Sequence, residues 1–250
     1  MSWDLIQLTD FHVGRDKQQA CRGSFPVLSL QDVIKDISLC SCSHYVATGD
    51  LSDDGSASSY RHIEELLEPI KHNIYLLPGN HDDSELMKSI LGHWPMAFRT
   101  HCDIRQWRVI FLNSTLPGYI HGGLNKNQLS LLGQLAMPWD GNIVVMMHHH
   151  CHDDAIRQQA GNAGKGVINM DEFVHAITPY KDKVKAVFSG HVHRESKQIL
   201  DGIECYTTPA TIHYADNGTI TMPGYRWLRF HRDTFDTGVV YVKSHAIDKN

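Results

Sequence analysis

The sequence predicts an α/β fold, and three observations support this. Short β-rich runs alternate with amphipathic segments along most of the 250 residues. Five of the apolar runs end in a polar cluster, as strands do at the carboxyl edge of an open α/β sheet. Hydrophobic residues make up 42% of the chain and charged residues 20%. This balance suits a folded chain of one or two domains with a sizeable core and excludes a disordered one.

The N-terminal part contains three predicted strands and two predicted helices. Apolar and polar residues alternate from Trp3 to Thr9, which predicts a strand that ends at Asp10. Two later segments carry apolar residues at helical spacing, and two short apolar runs stop at glycine-containing clusters. These four elements are a helix over Leu30–Leu39, a strand over Tyr45–Thr48, a helix over Ser59–Leu67 and a strand over Ile74–Leu77.

The middle of the chain repeats this alternation, and the C-terminal part is mostly β. The predicted elements are strands over Trp107–Leu112, Ile143–Met147 and Val184–Phe188, and helices over Asn125–Leu135 and Asp171–Ile177. The tail has a hairpin over Lys197–Thr207 around Asp201-Gly202, a favoured two-residue turn, and strands over Tyr225–Phe230 and Val239–Lys243. We therefore expect one domain over 1–250, with the core motifs in 1–195 and a β-rich part in 196–250.

Bulk properties exclude several classes of partner. The net charge of −5 gives no broad surface for polyanions, so nucleic acid is not an expected partner. No apolar run approaches the roughly 20 residues of a membrane helix, and the N-terminus has no secretory signal pattern. The six cysteines are scattered, which indicates reduced thiols and a cytoplasmic protein.

Histidine is the unusual component, with 18 copies against 8 Phe, 9 Tyr and 5 Trp. Histidine is the commonest metal ligand and titrates near neutral pH, so the excess suggests metal or acid–base chemistry. Position matters more than number, because histidines recur in the polar clusters at the strand ends. The five clusters are Asp10-Phe11-His12, Gly49-Asp50, Gly79-Asn80-His81-Asp82, His148-His149-His150 and Gly190-His191-Val192-His193. Turns favour Asp and Gly, but five such clusters in succession are hard to explain as turns.

The donor types in these clusters predict a metal centre. Residues two apart at a strand end point to the same side, so Asp10 with His12, and His191 with His193, can each chelate one ion. Carboxylate, amide and imidazole donors together suit Mn, Fe or Zn better than Ca. Two carboxylates, one amide and at least four imidazoles are too many for one tetrahedral ion. They fit two ions roughly 3.5–4 Å apart, as in two-metal phosphoesterases.

In this order the five motifs resemble those of the calcineurin-like metallophosphoesterase superfamily, whose pattern is D-x-H, G-D, G-N-H-[DE], H and G-H-x-H. The resemblance runs from Asp10 to His193. The chain is similar to the bacterial class III cyclic-AMP phosphodiesterase (Icc-type) branch in four places: the runs at 49–56, 77–82 and 223–228, and the triple histidine. The implied fold is a four-layer α/β/β/α sandwich of two mixed sheets flanked by helices. Relatives of this branch oligomerise, so a homo-oligomer is among the expectations.

The resemblance implies a role for each motif residue. Asp10, His12 and His193 would hold the first metal, Asp50 would bridge, and Asn80, His191 and one residue of the triple histidine would complete the second site. We choose His149, because the family places this ligand two residues before a proline position, here Cys151, and keep His148 as the fallback. His81 would donate a proton to the leaving alkoxide or stabilise the phosphoryl charge, and Asp82 would brace an imidazole. The residues expected to face the substrate are His12, Asp50, Asn80, His81 and His193.

The implied reaction is hydrolysis of 3′,5′-cyclic AMP to 5′-AMP by in-line attack of a metal-bridging hydroxide. Another small diester, such as a glycerophosphodiester or a 2′,3′-cyclic nucleotide, is the alternative substrate. A non-catalytic scaffold whose metals only stabilise the fold is a more distant alternative, as is a nuclease. The sequence departs from the family at Cys151, where proline is usual, and the polar segment from Cys151 to Gly166 lacks the expected aromatic residue. This departure bears on substrate preference more than on the metals.

Overall fold

The computed structural model describes residues 2–151, 165–216, 219–244 and 246. Within these ranges the chain forms thirteen strands and five α-helices. The strands are β1 Trp3–Leu8, β2 Tyr45–Thr48, β3 Ile74–Leu77, β4 His101–Ile104, β5 Trp107–Phe111, β6 Asn142–Met146, β7 Val184–Ser189, β8 Ser196–Leu200, β9 Ile203–Thr207, β10 Tyr214–Asp216, β11 Thr219–Thr221, β12 Gly224–Phe230 and β13 Phe235–Tyr241. The helices are α1 Pro26–Ile37, α2 Ala57–Leu66, α3 Ser84–Leu91, α4 Lys126–Ala136 and α5 Met170–Ile177.

Two large mixed sheets carry the fold. The first has the order β13-β12-β1-β2-β3 and the second β4-β5-β6-β7-β9-β8, while β10 and β11 form a separate hairpin. Strands β1, β2 and β3 are parallel, as are β5, β6, β7 and β9. Strand β12 joins the first sheet antiparallel to β1, and β9 pairs with β7 in the second, so both sheets contain strands from the C-terminal part.

Apolar side chains fill three layers and confirm the predicted four-layer sandwich. Between the sheets, side chains such as Leu5 and Val46 of the first sheet share a cluster with Phe111, Met146 and Phe188 of the second. Helices α1, α2 and α3 cover the outer face of the first sheet, and α4 and α5 cover the outer face of the second. Burial of both faces explains why β2, β3 and β5 have continuously buried residues instead of alternating ones.

Most predicted elements are present, and the differences have local causes. Helix α1 begins at Pro26 rather than at Leu30, because proline is well suited to the first helical position. The last strand begins at Phe235 rather than at Val239, because it pairs with β12 along its whole length. Four elements, α3, β4, β10 and β11, were not predicted from the sequence. The N-cap residue Asp83 could have predicted the start of α3. Its carboxylate accepts hydrogen bonds from the backbone N–H groups of Glu85 and Leu86.

The polar segment after Cys151 falls on residues 152–164, which lie outside the described residues. Among the residues that are described, no helix has the length and apolar character needed to cross a membrane.

Candidate dinuclear metal centre

The polar clusters meet at one edge of the sandwich, where strands of both sheets end. Backbone hydrogen bonds hold these ends together: the N–H of Asp10 donates to Gly49 O at 3.0 Å, and the N–H of Gly190 donates to His148 O at 3.0 Å. The strand ends contribute seven convergent side chains. They are Asp10 and His12 after β1, Asp50 after β2, Asn80 after β3, His148 after β6, and His191 and His193 after β7.

One group of donors forms around Asp10, His12 and His193, all of which are buried. The Nε2 atoms of the two histidines lie 3.0 Å apart, and His193 Nε2 lies 3.3 Å from Asp10 Oδ1. The Asp50 Oδ2 atom is 3.8 Å from His12 Nε2. Ligand atoms that sit about 2.0–2.2 Å from a shared ion are themselves roughly 3–3.5 Å apart, so the 3.0 and 3.3 Å spacings suit one ion, and Asp50 Oδ2 lies slightly further away.

A second group forms around His148 Nε2. This atom lies 3.2 Å from Asn80 Oδ1, 3.2 Å from His191 Nδ1 and 3.3 Å from Asp50 Oδ2. The Oδ2 atom of Asp50 therefore faces both groups. The other oxygen of Asp50 accepts the backbone N–H of His81 at 2.9 Å, which fixes the orientation of the carboxylate.

The chemistry of this donor set fits two divalent ions. Asp10 and Asp50 are 0% and 2% exposed, and buried carboxylates are normally paired or bound to metal. Burial acts to raise the pKa of both carboxyls, but His193 beside Asp10 and His148 beside Asp50 lower the pKa values below the usual one. Burial lowers the pKa of His12 to about 4, which keeps its ring neutral and able to ligate. The expected mixture of carboxylate, amide and imidazole donors is thus assembled within reach of two ions. Mn, Fe and Zn are the metals that suit such a mixture of donors.

The backbone around these donors is strained. Asp10, His12, Asp50, His191 and His193 all have positive φ, and they are five of the eight non-glycine residues with positive φ in the described chain. Such conformations cost of order 1–3 kcal/mol each and persist where the surroundings enforce them, typically at functional sites. The strand ends therefore turn sharply in order to aim their side chains at one point.

Gly79 is required where the loops after β2 and β3 touch. A Cβ on Gly79 would lie 2.2 Å from both the backbone N and the Oδ1 atom of Asp50. We expect Gly79→Ala to destabilise the fold by about 1–3 kcal/mol through this overlap and to reduce the bound metal. Thermal unfolding and elemental analysis of the purified variant measure both effects. The matched control is Gly133→Ala in α4, where the nearest atom to a Cβ is Tyr180 Oη at 3.7 Å. It should be neutral or stabilising by roughly 0.5–1 kcal/mol, and an equal loss in both variants would contradict the account.

The first two of the three consecutive histidines have different partners in the structure. His148 lies in the second group of donors, whereas the Nδ1 of His149 is 2.9 Å from Ser114 Oγ and its Nε2 is 3.1 Å from Ile120 O. Burial lowers the pKa of His149 to about 3, while at His148 burial is outweighed by Asp50, which raises the pKa to about 9, so an ion bound at His148 would displace a proton. The geometry thus favours the fallback His148 over the chosen His149. His148 and His149 lie in a bend with their rings 4.8 Å apart and both beside His191, so counting from Cys151 could not show which ring joins Asp50 and Asn80.

Two acidic residues, Asp82 and Asp53, have roles that differ from those expected from the sequence. Among the described residues Asp82 makes no hydrogen bond or ion pair with an imidazole, which corrects the expectation that it braces one. Its carboxylate accepts the backbone N–H groups of Leu51, Ser52 and Gly79 and the hydroxyl of Tyr60, and so joins the loops after β2 and β3. The imidazole partner is Asp53, whose Oδ1 lies 3.1 Å from His12 Nδ1. A carboxylate that contacts the second ring nitrogen of a ligating histidine fixes the tautomer and orientation of the ring. The sequence pointed to this role of Asp53 only through its place in the run 49–56, which resembles the family.

A cavity of about 170 Å³ opens over the donors. Its walls include Asp50, Asn80, His191 and His193 from the two groups, and His81 at the rim. The remaining lining residues are Arg22, Ile120, Lys165, Val192 and Tyr214. Of the residues expected to face the substrate, Asp50, Asn80, His81 and His193 line this cavity, while His12 lies behind them with no exposed surface.

The model of the family described as calcineurin-like phosphoesterase matches residues 5–195, which contain all five motifs. The chain belongs to the calcineurin-like phosphoesterase family. This confirms the family that the motifs resembled and the predicted class of enzyme, a metal-dependent hydrolase of phosphoric esters.

Curated relatives of this phosphoesterase support the predicted branch. The 3′,5′-cyclic adenosine monophosphate phosphodiesterase CpdA of Haemophilus influenzae is 30% identical over 240 residues, which cover 92% of this chain and 86% of the relative. The protein of the same name from Pseudomonas aeruginosa is 28% identical over 244 residues, covering 94% and 88%.

Solved structures show the same fold at low identity. A dimetal phosphatase from Danio rerio superposes with a TM-score of 0.65 at 12% identity and covers 96% of this phosphoesterase and 99% of that chain. A purple acid phosphatase from yellow lupin gives a TM-score of 0.68 at 14% identity, covering 98% and 53%. These likenesses confirm the sandwich of two mixed sheets.

Proposed function

We propose that the protein is a dinuclear metal-dependent phosphodiesterase that hydrolyses 3′,5′-cyclic AMP to 5′-AMP and acts as a single domain over 1–250. One observation carries the proposal: two groups of metal donors share Asp50 Oδ2 and face one cavity. In this proposal Asp10, His12, His193 and Asp50 hold one ion. The second ion is held by Asp50, Asn80, His148 and His191, with His148 in place of His149.

Two divalent ions, when bound, would acidify a water molecule and neutralise the charge of the phosphoryl oxygens. The protein's own residues then supply orientation. Asp53 fixes the ring of His12, and the backbone N–H of His81 fixes the carboxylate of Asp50. Because these donors are buried and held by strained backbone, the centre is arranged before the substrate arrives, and less of the binding energy is lost to ordering it.

Two side chains at the cavity support a nucleoside substituent on the phosphate. Ile120 is 62% exposed, and the His149 ring reaches its backbone oxygen. Tyr214 packs edge-on to the ring of His193 at 4.6 Å between centroids. An apolar and an aromatic side chain beside a polar phosphate site suit a planar base, which stacks on aromatic rings. The relatives are named as cyclic-AMP phosphodiesterases, which favours adenosine as the nucleoside.

A substrate panel tests the proposal. The Mn²⁺-loaded protein is assayed with 3′,5′-cyclic AMP, 2′,3′-cyclic AMP, glycerophosphoethanolamine and bis(p-nitrophenyl) phosphate, with a chelated sample as control. We expect the highest kcat/KM among the natural diesters for 3′,5′-cyclic AMP and 5′-AMP as the product. A preference for the glycerol or 2′,3′-cyclic diester would replace cyclic AMP as the substrate. Turnover of no diester by protein that retains both metals would sink the enzyme proposal. The cytoplasmic location and the homo-oligomer stay predictions.

A further inference from the structure

Arg22 lies beside the metal centre, although no sequence motif assigned it a role. It sits at the tip of a tight turn in which Cys21 and Ser24 exchange backbone hydrogen bonds at 2.8 and 2.9 Å. Arg22 and Gly23 both have positive φ, which is the conformation of a type I′ turn. The turn is anchored, because the buried Ser24 hydroxyl donates to Ala246 O at 3.1 Å. An anchored turn can hold a long side chain over the cavity.

The two partners of His81 define the protonation of its ring. Its Nδ1 lies 2.9 Å from the backbone oxygen of Asp53, and its Nε2 lies 3.2 Å from Arg22 Nη2. A carbonyl oxygen can only accept a hydrogen bond and a guanidinium nitrogen can only donate one. The Nδ1 atom therefore carries the proton, and the Nε2 atom accepts from Arg22. In this arrangement Nε2 has no proton to give to a leaving group.

The charges that line the cavity favour an anion at Arg22. Asp50 is the one carboxylate among the described lining residues, and both groups of metal donors already engage it. Arg22 and Lys165 are the cationic side chains of this lining. A guanidinium has five N–H donors in a planar fork that matches phosphate oxygens, and His81 occupies one of them.

We infer that Arg22 binds the non-bridging oxygens of the substrate phosphate and that His81 is a positioning residue, which accepts a hydrogen bond from Arg22 and aims it. The inference rests on the proposed function in that the anion is the phosphoryl group of a diester. In the reaction, water adds to phosphorus and releases a proton to solvent, the ester P–O bond breaks, and the leaving oxygen takes a proton from solvent rather than from His81. This differs from the first of the two roles expected from the sequence, in which His81 donates that proton, and leaves the second, stabilisation of the phosphoryl charge, to Arg22.

The test is a double-mutant cycle on the Mn²⁺-loaded enzyme with diphenyl phosphate as substrate, whose phenolate leaving group is basic enough to benefit from a proton donor, together with calorimetric titration of inorganic phosphate. Arg22→Met should lower kcat/KM and phosphate affinity by about 10- to 100-fold, the size of a lost charge-assisted hydrogen bond. His81→Leu should have a similar effect. His81→Gln should retain most of the activity, because its amide oxygen can still accept from Arg22. The double variant Arg22→Met/His81→Leu should lose no more than the larger single loss, because the two residues act as one unit.

The matched control is Lys17→Met. Lys17 is a cation of the same loop that pairs with Glu65 and does not line the cavity, so its removal should leave phosphate affinity and kcat/KM unchanged. Wild-type values in Arg22→Met would overturn the inference. Losses that multiply in the double variant, with His81→Gln as inactive as His81→Leu, would identify His81 as an independent proton donor and overturn it as well. Failure of the proposed function is distinguishable, because phosphate binding and the artificial diester do not depend on cyclic AMP being the substrate.

Discussion

Replacing Asp50 by Asn should lower the diester hydrolysis rate by more than about 100-fold and reduce the bound Mn²⁺ from two ions per chain to one or none. The Oδ2 atom of Asp50 faces both groups of donors, at 3.3 Å from His148 Nε2 and 3.8 Å from His12 Nε2. The Asn side chain offers one neutral oxygen where the Asp50 carboxylate offers a charged oxygen to both groups. Loss of a residue that only supports a ligand typically lowers metal affinity or activity 10- to 100-fold, so loss of a shared ligand should cost more. Elemental analysis and steady-state kinetics on the same preparation measure the two effects.

The control for the Asp50 variant is Asp201→Asn in the turn between β8 and β9. Asp201 is exposed and has φ of 48°, a conformation that Asn tolerates well, so stability and activity should not change. An Asp50→Asn enzyme that keeps two ions and normal turnover would show that this carboxylate does not join the two groups.

His148→Ala and His149→Ala should give different phenotypes although the residues are adjacent. His148→Ala removes the nitrogen at 3.2–3.3 Å from Asn80, His191 and Asp50, so we expect loss of one ion and a fall in activity of more than about 100-fold. His149→Ala removes the links to Ser114 and Ile120, so both ions should stay bound while KM for cyclic AMP rises. Metal content separates the two variants without reference to activity.

Each of the two variants is the control for the other, since both changes remove a buried imidazole from the same loop. Circular dichroism and thermal unfolding show whether each variant is folded. Loss of an ion from His149→Ala, with full metal content in His148→Ala, would restore the choice made from the sequence.

The class of fold and the location of the centre were predictable because they depend on periodicity and strand ends. Parallel strands with continuous apolar runs end at one edge, so the residues after β1, β2 and β3 had to be neighbours. The motif order then indicated the family and the donor types. The same-side rule for residues two apart placed Asp10 with His12 correctly, but His191 and His193 lie in different groups of donors.

Features that depend on direction or on distant contacts were not predictable. The choice between His148 and His149 rests on the partners of each ring, which the sequence spacing does not determine. The role of Asp53 rests on a contact with His12 across 41 positions, and that of Arg22 on one with His81 across 59. Arg22 stands in a turn with no metal-ligand spacing around it, so nothing in its neighbourhood distinguished it from a surface arginine.

Titration of metal-free protein with Mn²⁺, with turnover of 3′,5′-cyclic AMP measured at each addition, tests the central claim most directly. Because Asp50 joins two groups of donors over one cavity, we predict that activity rises to a plateau at two ions per chain and that 5′-AMP is the product. A plateau at one ion per chain, or two bound ions without turnover, would contradict the dinuclear phosphodiesterase.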